Sequence, residues 1–172
     1  MKSDELRGIQ APLKDRYRAD PEQAVVKLEA TGDLSGEGLT CSVTTGKALV
    51  EAGLHPATGG DGLSACSGDM LLEALVACAG VTLRAVATAL DITIRSGRVH
   101  AEGDLDFRGT LGVDREAAVG FRSIRTTFHL DTDADAEALA TLSKLTERYC
   151  VVHQTLSGGV ELSMEITQPA TA

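Results

Sequence analysis

The sequence predicts an α+β fold in which antiparallel strands cover a long apolar helix. Several short stretches alternate apolar with polar residues and are separated by turn-forming residues, which is typical of hairpins. Residues 69–90 are apolar almost all the way round, which is typical of a helix that other elements cover on most sides. The predicted element order is β-β-β-α-β-β-α-(α)-β, and strands grouped into hairpins favour α+β over an alternating parallel sheet.

Length and composition favour one domain preceded by an arm. The chain has 172 residues, of which 43% are hydrophobic, and this is enough for one core. Residues 1–22 are polar and contain two prolines, so we interpret them as an arm outside the main core. The domain is expected over residues 23–168, with a short tail at 169–172.

The first strands are predicted on either side of a turn. Residues 24–30 alternate enough to form a strand, residues 31–38 carry hairpin-turn chemistry, and residues 39–46 form the return strand. A third strand is predicted over residues 47–53. The Gly-rich segment 54–69 is then expected to form a loop that leads to the long helix.

The long helix has about 22 residues and a length of roughly 33 Å at about 1.5 Å per residue. Ser67 or Asp69 is expected to cap its N-terminus. Glu73 and Arg84 interrupt the apolar stretch, and charges inside a membrane are costly, so we interpret it as the core helix of a soluble protein. One sheet covers only one side of such a helix, so a second helix, such as one from a partner chain, is expected beside it.

The second half repeats the alternation of strands and helices. Residues 99–107 and 121–130 alternate apolar or small residues with polar ones, so each is predicted to form a half-buried strand. Residues 131–149 open with capping residues and continue with apolar residues at helical spacing, and a shorter helix is predicted over 150–156. Residues 160–166 are predicted to form a closing strand. Its inward-facing residues are expected to be Val160, Leu162, Met164 and Ile166.

Charge and cysteine spacing argue against several function classes. The net charge is −9 and the sequence pI is about 4.8, so the basic footprint of a nucleic-acid-binding protein is missing. The four cysteines are widely spaced, and no zinc pattern emerges when the four histidines are added. The first ten residues lack the apolar region of a signal peptide, so a cytoplasmic location is expected. We expect no metal and no bound cofactor.

Cys78 and Cys150 are the residues best suited to carry chemistry. Cys78 lies in the middle of the long helix, and Cys150 lies where the second helix gives way to the third. Both helices must pack on the sheet, which allows the two sulfurs to meet. Two thiols in a pocket can reduce a peroxide, because one becomes a sulfenic acid and the other condenses with it to a disulfide. The alternative is that each cysteine packs as a small apolar residue.

Two cysteine segments stand out, GDMLLEALVACAGVTL and ERYCVVHQTL. They resemble the two signature cysteine segments of the OsmC/Ohr family, the osmotically inducible and organic hydroperoxide resistance proteins. The segments HPATGGDG, VHAEGDLDFRG and GFRSIRTTFHL also fit the layout of that family. The resemblance covers most of the chain from about residue 24 onward, and the chain is similar to a divergent OsmC-like member.

The resemblance implies a fold, an assembly and an activity. Family members are intertwined homodimers in which antiparallel-rich sheets wrap around two long central helices. They are thiol-dependent peroxidases that reduce organic hydroperoxides and are reset by an external dithiol. By this resemblance Cys78 matches the peroxidatic cysteine and Cys150 the resolving one. Asp69 corresponds most closely to the acidic residue near the start of the first helix.

One feature departs from the family pattern. In peroxidase members an arginine near the N-terminal hairpin holds the thiolate, but residues 31–38 contain no arginine. Arg16, Arg18 and Arg108 are the candidates to replace it. Without a cation Cys78 would be an ordinary thiol. The alternative function is therefore a non-catalytic protein that binds a small apolar or thiol-bearing ligand at the dimer interface, and a purely structural role is the third reading.

Four further residues have two readings each. His153 lies three residues after Cys150, where it is either an ordinary histidine or a donor that lowers a thiol pKa. Glu73 is a charge in an apolar helix and is expected to reach the pocket or a helix end. Cys66 is interpreted as a loop thiol, with a substitute resolving role as the alternative. Cys41 is expected in the core of a strand, and a redox role is its alternative.

Overall fold

The computed structural model describes residues 2–20, 32–33, 40–45, 48–112 and 114–166. Its helices are α1 (Ser3–Ala19), α2 (Ser67–Ala89), α3 (Phe107–Thr110), α4 (Ala136–Tyr149) and α5 (Val151–Gly158). Its strands are β1 (Gly32–Asp33), β2 (Thr40–Thr45), β3 (Ala48–Gly53), β4 (Ala65–Cys66), β5 (Ile94–Leu105) and β6 (Phe121–Thr132). Helices and antiparallel strands are mixed along the chain, and the predicted α+β class is confirmed.

The first sheet has the strand order β1-β2-β3-β4. The pairs β1–β2 and β2–β3 are antiparallel, whereas β3 and the short β4 are parallel. The strands predicted over 39–46 and 47–53 are confirmed as β2 and β3. Gly32 and Asp33, which were expected in the turn, lie in β1 instead. The strand predicted over 24–30 lies outside the described residues.

The second sheet is a long hairpin of β5 and β6, twelve residues each. Both predicted strands are confirmed, and each is longer than its alternating pattern. Gly103 pairs with Ile124 across the hairpin, and a Cβ at this glycine would lie 2.6 Å from Cδ1 of Phe121. A side chain at this position would force the Phe121 ring to shift, so glycine is the residue that fits the observed packing.

Helix α2 packs on β5 and against α4 and α5, and its buried side forms most of the core. The buried residues of α2 are Leu75, Ala79, Leu83, Val86 and Ala87. The N-terminal cap predicted at Ser67 or Asp69 is wrong. The helix begins at Ser67, so both side chains lie inside its first turn, and the N-cap residue Cys66 makes no side-chain capping hydrogen bond.

One face of α2 is left uncovered by the described part of the chain. Ala74, Ala77 and Ala85 are exposed on it, and Val81 is 72% exposed. By length and composition alone α2 would pass as a membrane-spanning helix. One face of the helix packs into the folded core.

The N-terminal arm contains a regular helix that the sequence reading did not predict. Helix α1 covers most of the arm and includes Pro12. It lies next to α2, and Arg7 approaches Asp91, which follows α2, at 3.9 Å. Leu6, Ile9, Leu13 and Tyr17 follow helical spacing, but the polar composition and the prolines of the segment favoured an irregular arm. The domain limits at 22/23 and 168/169 stay predictions.

The closing strand predicted over 160–166 is wrong for the single chain. These residues form no strand and are exposed, up to 95% at Met164. Val160, Leu162 and Ile166 are also exposed rather than inward-facing. An alternating pattern indicates that one face needs a cover, but it does not identify the covering surface.

Candidate functional site

The two cysteines singled out by the sequence lie side by side in the structure. Cys78 is in the middle of α2, and Cys150 is the single residue between α4 and α5. Because α2 packs against both α4 and α5, the two thiols come within hydrogen-bond distance. Both are free thiols. Cys78 is half-buried, whereas only 1% of Cys150 is exposed.

The break between α4 and α5 positions Cys150. Its backbone leaves the helical region, with φ −73° and ψ 107°, and resumes the helix at the next residue. Its N–H donates to the carbonyl of Thr146 and its carbonyl accepts from the N–H of Gln154, both at 2.9 Å. The Gln154 side chain also donates to the carbonyl of Glu147 at 2.9 Å. These bonds fix the break, so that the free N–H groups at the start of α5 point toward the two sulfurs.

The surroundings of Cys78 favour its thiolate. Burial alone raises the pKa of Cys78, but the backbone N–H of Val152 and the Cys150 thiol, both hydrogen-bonded to its sulfur, act in the other direction. The Thr82 hydroxyl and the Val151 N–H add to them, and together these donors bring the pKa of Cys78 below its ordinary value. The N-terminus of α5 thus supplies much of the positive potential that a thiolate needs.

The surroundings of Cys150 favour its neutral thiol. Burial raises the pKa of Cys150, and the adjacent Cys78 raises it further, because that sulfur accepts its proton and carries the negative charge. The N–H groups of His153 and Val152 offset part of this increase. The pKa values of the two thiols are therefore shifted in opposite directions, downward for Cys78 and upward for Cys150.

The arginine expected beside the thiolate is not found among the described side chains. Arg108 binds Asp106 at 2.6 Å and Asp114 at 3.3 Å, and its side chain is 60% exposed. Among the described residues, the groups that chiefly shift the pKa of Cys78 include no arginine. Arg16 and Arg18 lie in α1, and their side chains are outside the described part of the structure.

The two acidic candidates lie away from the cysteine pair within one chain. Asp69 precedes Cys78 by nine residues of α2. That spacing is about 13.5 Å along the axis and about half a turn around it. Asp69 and Glu73 are exposed and line a shallow depression between α2 and β5. The structure therefore does not bring either carboxylate to the two sulfurs.

The His153 side chain and Cys66 both lie away from direct contact with the two sulfurs. The imidazole Nε2 of His153 lies 3.4 Å from Glu147, so it is the backbone N–H of His153 that acts on Cys150. Cys66 is half-buried beside His55, twelve residues before Cys78 and about 18 Å away along α2. The Cys41 side chain lies outside what the structure describes. Among the described residues, no group of three or more His, Cys, Asp or Glu side chains could hold a metal ion.

A cavity of about 580 Å³ lies beside Cys150. Its most buried wall residues are Leu75, Thr146 and Cys150, which are 1–3% exposed and form its floor. The exposed residues Arg122 and Ser143 lie at its rim. The sequence reading missed Thr146, although its position four residues before Cys150 places it on the same helical face. It also missed Thr82, which the same spacing from Cys78 could have identified.

The profile of a family described as OsmC-like protein matches residues 59–165, a range that contains both cysteines of the pair. No curated protein sequence matches the chain.

Solved structures of similar shape come from several bacteria. An OsmC-like protein from Mycoplasma pneumoniae aligns with a TM-score of 0.64 and 20% identity, over 78% of this chain and 89% of the other. An organic hydroperoxide resistance protein OsmC from Legionella pneumophila aligns with a TM-score of 0.58 and 15% identity, over 80% and 95% of the two chains. An organic hydroperoxide resistance protein from Elizabethkingia anophelis aligns with a TM-score of 0.58 and 16% identity, over 80% of this chain and 92% of the other. At these identities the likeness shows the fold.

Proposed function

The chain belongs to the OsmC-like protein family, and from this premise we propose that it is a thiol-dependent peroxidase that reduces organic hydroperoxides. The observation that carries the proposal is the contact between two free thiols whose pKa values are displaced in opposite directions. Solved relatives described as organic hydroperoxide resistance proteins support a redox or stress role. The proposed location is the cytoplasm, and no nucleic acid or membrane takes part.

The first step is an attack by Cys78 on the hydroperoxide. The Cys78 thiolate forms a bond to the terminal oxygen, the O–O bond breaks, and the electron pair leaves on the alkoxide. The neighbouring Cys150 thiol, with its raised pKa, is a suitable donor for the proton that turns the alkoxide into an alcohol. Cys78 is then a sulfenic acid, and Cys150 is left as a thiolate.

The second step joins the two cysteines. The Cys150 thiolate attacks the sulfur of the Cys78 sulfenic acid, a disulfide forms, and hydroxide leaves as water after taking up a proton. Thiols already in hydrogen-bond contact need to approach by only about 1–2 Å to reach the S–S length of about 2.05 Å. An external dithiol then returns both cysteines to thiols. The complete reaction converts one hydroperoxide and one dithiol into an alcohol, water and a disulfide.

The proposed assembly is a homodimer. The uncovered face of α2, with Val81 72% exposed, is apolar, and residues 160–166 have apolar side chains without a cover in the described chain. A second copy would cover both, with α2 against its counterpart and the C-terminal segment on the other chain. Light scattering after size exclusion should give twice the chain mass. A monomer at micromolar concentration would contradict this assembly.

The activity is tested with reduced protein and cumene hydroperoxide. Two thiols per chain should be lost, and peptide mapping should place the new disulfide between Cys78 and Cys150. Cys150→Ser should stop at a sulfenic acid on Cys78 that dimedone traps, whereas the control Cys66→Ser should still lose two thiols. A Cys78 that stays reduced while a known peroxidase turns over in the same buffer would exclude the activity.

The second candidate is a non-catalytic protein that binds a small apolar or thiol-bearing ligand. The observation in its favour is the cavity of about 580 Å³ together with the lack of an arginine beside Cys78 among the described side chains. A ligand that copurifies with the protein, without consumption of peroxide, would support this candidate. Ligand affinity unchanged in Cys78→Ser would then show that the thiol has no part in binding.

A further inference from the structure

Each cysteine of the pair has a threonine one helical turn away. Thr82 follows Cys78 by four residues in α2 and donates a hydrogen bond to its sulfur. Thr146 precedes Cys150 by four residues, near the end of α4. The Cys150 N–H donates to the Thr146 carbonyl at 2.9 Å, so this last turn is intact and holds both side chains on one helical face. The two sulfurs therefore have hydroxyl groups at the same spacing.

The Thr146 hydroxyl is buried and is not used by its own helix. Thr146 is 3% exposed, and its Oγ1 has no hydrogen-bond partner among the described residues. A threonine in a helix can donate to the carbonyl four residues earlier, as Thr88 does to Arg84 at 2.7 Å. Thr146 makes no such bond. A buried hydroxyl without a partner is costly, and an acceptor within its reach would remove that cost.

The sulfur of Cys150 is the acceptor that the cavity floor offers to this hydroxyl. Among the described residues that line the cavity, the buried ones are Leu75, Ala79, Thr146 and Cys150. The side chains of Leu75 and Ala79 carry no polar atom. In the reduced protein Cys150 is a neutral thiol that donates to Cys78, and a neutral thiol is a weak acceptor. The hydroxyl therefore gains a strong acceptor only when Cys150 loses its proton.

We propose that Thr146 donates a hydrogen bond to the Cys150 thiolate and holds this sulfur for its attack on the Cys78 sulfenic acid. The inference rests on the proposed peroxidase function, in which Cys150 becomes a thiolate during the first step. Thr146 keeps its proton, so no covalent bond to it forms or breaks. In the step that it assists, the S–S bond forms, the S–O bond of the sulfenic acid breaks, and hydroxide leaves with the electron pair.

A donor in α4 complements the donors that α5 already supplies to Cys150. Burial disfavours the charged form of this sulfur, and the backbone N–H groups of His153 and Val152 oppose that effect from the α5 side. Thr146 acts from the preceding turn, on the α4 side of the helix break. Donors on both sides of Cys150 stabilise its charge and also restrict the direction in which the sulfur points.

The first test measures the ionisation of Cys150 without any peroxide. The ¹³Cβ shift of Cys150 is followed against pH in a Cys78→Ala background, which removes the coupled thiol. Thr146→Val keeps the shape of the side chain and removes the hydroxyl. It should lower the acid dissociation constant of Cys150 about tenfold, because hydrogen bonds to charged groups are among the stronger ones. Thr146→Ser keeps a donor and should titrate like the parent.

The comparison isolates the hydroxyl because the neighbouring titratable groups stay in place. Arg122 of β6, Glu147 of α4 and His153 of α5 line the same cavity and are common to all the proteins compared. Ser143→Ala is the matched control, because Ser143 lies in α4 at the cavity rim and carries a hydroxyl as well. An unchanged Cys150 titration in Thr146→Val, or an equal change in Ser143→Ala, would overturn the inference.

The second test follows the lifetime of the sulfenic acid in the protein that has both cysteines. Dimedone added at increasing times after one equivalent of cumene hydroperoxide reports how long the Cys78 sulfenic acid survives. At a pH below the pKa of Cys150, Thr146→Val should lengthen this lifetime about three- to fourfold, because a roughly tenfold lower thiolate fraction is partly offset by a more nucleophilic sulfur. At a pH above the pKa of Cys150 in both proteins, the variant should form the disulfide faster than the wild type.

The pH dependence distinguishes the hydrogen bond from a packing defect. A packing defect would slow disulfide formation at every pH, whereas a lost donor slows it only where the Cys150 thiol is protonated. Thr146→Ser should restore the wild-type lifetime. Equal lifetimes in Thr146→Val and the wild type, slowing at every pH, or a Thr146→Ser variant that behaves like Thr146→Val would overturn the inference.

The two tests separate this inference from the proposed function. If hydroperoxide leaves Cys78 reduced while Thr146→Val still lowers the acid dissociation constant of Cys150, the peroxidase function is wrong and the hydrogen bond to the thiolate is supported. If oxidation proceeds and neither the titration nor the lifetime responds to Thr146→Val, the peroxidase function stands and the role of Thr146 is wrong.

Discussion

A substitution of Thr82 tests most directly how its hydroxyl affects the pKa of Cys78. It is one turn after Cys78 in α2 and donates a hydrogen bond to the Cys78 sulfur. Thr82→Val keeps the shape of the side chain and removes this donor, so the pKa of Cys78 should rise toward its ordinary value. A hydrogen bond to a charged group contributes about 1.5–3 kcal/mol of net stabilisation. Because Cys78 is only half-buried and solvent weakens the interaction, we expect this hydrogen bond to stabilise the thiolate by about 1 kcal/mol.

That magnitude gives a specific rate profile. A loss of about 1 kcal/mol reduces the thiolate fraction about fivefold at a pH below both pKa values. Because nucleophilicity rises with thiol pKa, with a Brønsted coefficient of about 0.4–0.5, the net decrease in rate is about two- to threefold. At a pH above the pKa of Cys78 in both proteins, the Cys78 thiol is fully ionised in each. The variant should then react about twofold faster than the wild type, because its thiolate is more nucleophilic. The two pH–rate curves should cross.

The assay is the rate of iodoacetamide addition to Cys78, followed by peptide mapping from acidic to alkaline pH. Thr88→Val is the matched control, because Thr88 lies in the same helix and its hydroxyl donates to the Arg84 carbonyl at 2.7 Å. Its profile should follow the wild type. Identical profiles for Thr82→Val and the wild type, or the same shift in both variants, would refute the assignment of the hydroxyl.

Three further predictions test the rest of the structure. Arg108→Ala should leave hydroperoxide reduction within twofold, because this guanidinium binds Asp106 and Asp114; a tenfold loss would place it in the site. Leu142→Ala should lower the free energy of unfolding by about 2–5 kcal/mol in urea titrations, since Leu142 is only 1% exposed, and a loss below 1 kcal/mol would contradict its core position. Gly103→Ala should cost about 1–3 kcal/mol in thermal unfolding, because the new methyl group meets the Phe121 ring; an unchanged Tm would contradict that contact.

The parts of the fold that were predictable have a local signature. Period-two alternation indicated β5 and β6, and an apolar run of sufficient length indicated α2. Helix α1 carries a short apolar stripe at helical spacing, but its polar composition and Pro12 favoured an irregular arm. Residues 160–166 alternate like a strand, but the surface that would cover them is not part of the described chain.

The candidate site was predictable only as a pair of residues. The resemblance singled out Cys78 and Cys150, and the packing of α2 against α4 and α5 brings them together. The donors that act on Cys78 are chiefly backbone N–H groups at the start of α5, which every residue but proline carries. No residue type marks them, so the search for an arginine could not identify them. They become visible only when the break at Cys150 fixes where α5 begins.

The central claim is that Cys78 and Cys150 form one reactive unit in which Cys78 ionises first. A pH titration of the reduced protein, with the ¹³Cβ shift of each cysteine followed by NMR, measures this directly. The predicted result is that Cys78 ionises at a lower pH than Cys150, and that Cys150→Ala, which removes the thiol donor, raises the pH at which Cys78 ionises. The account would be contradicted if Cys150 ionised at a lower pH than Cys78, or if the two thiols ionised independently of each other.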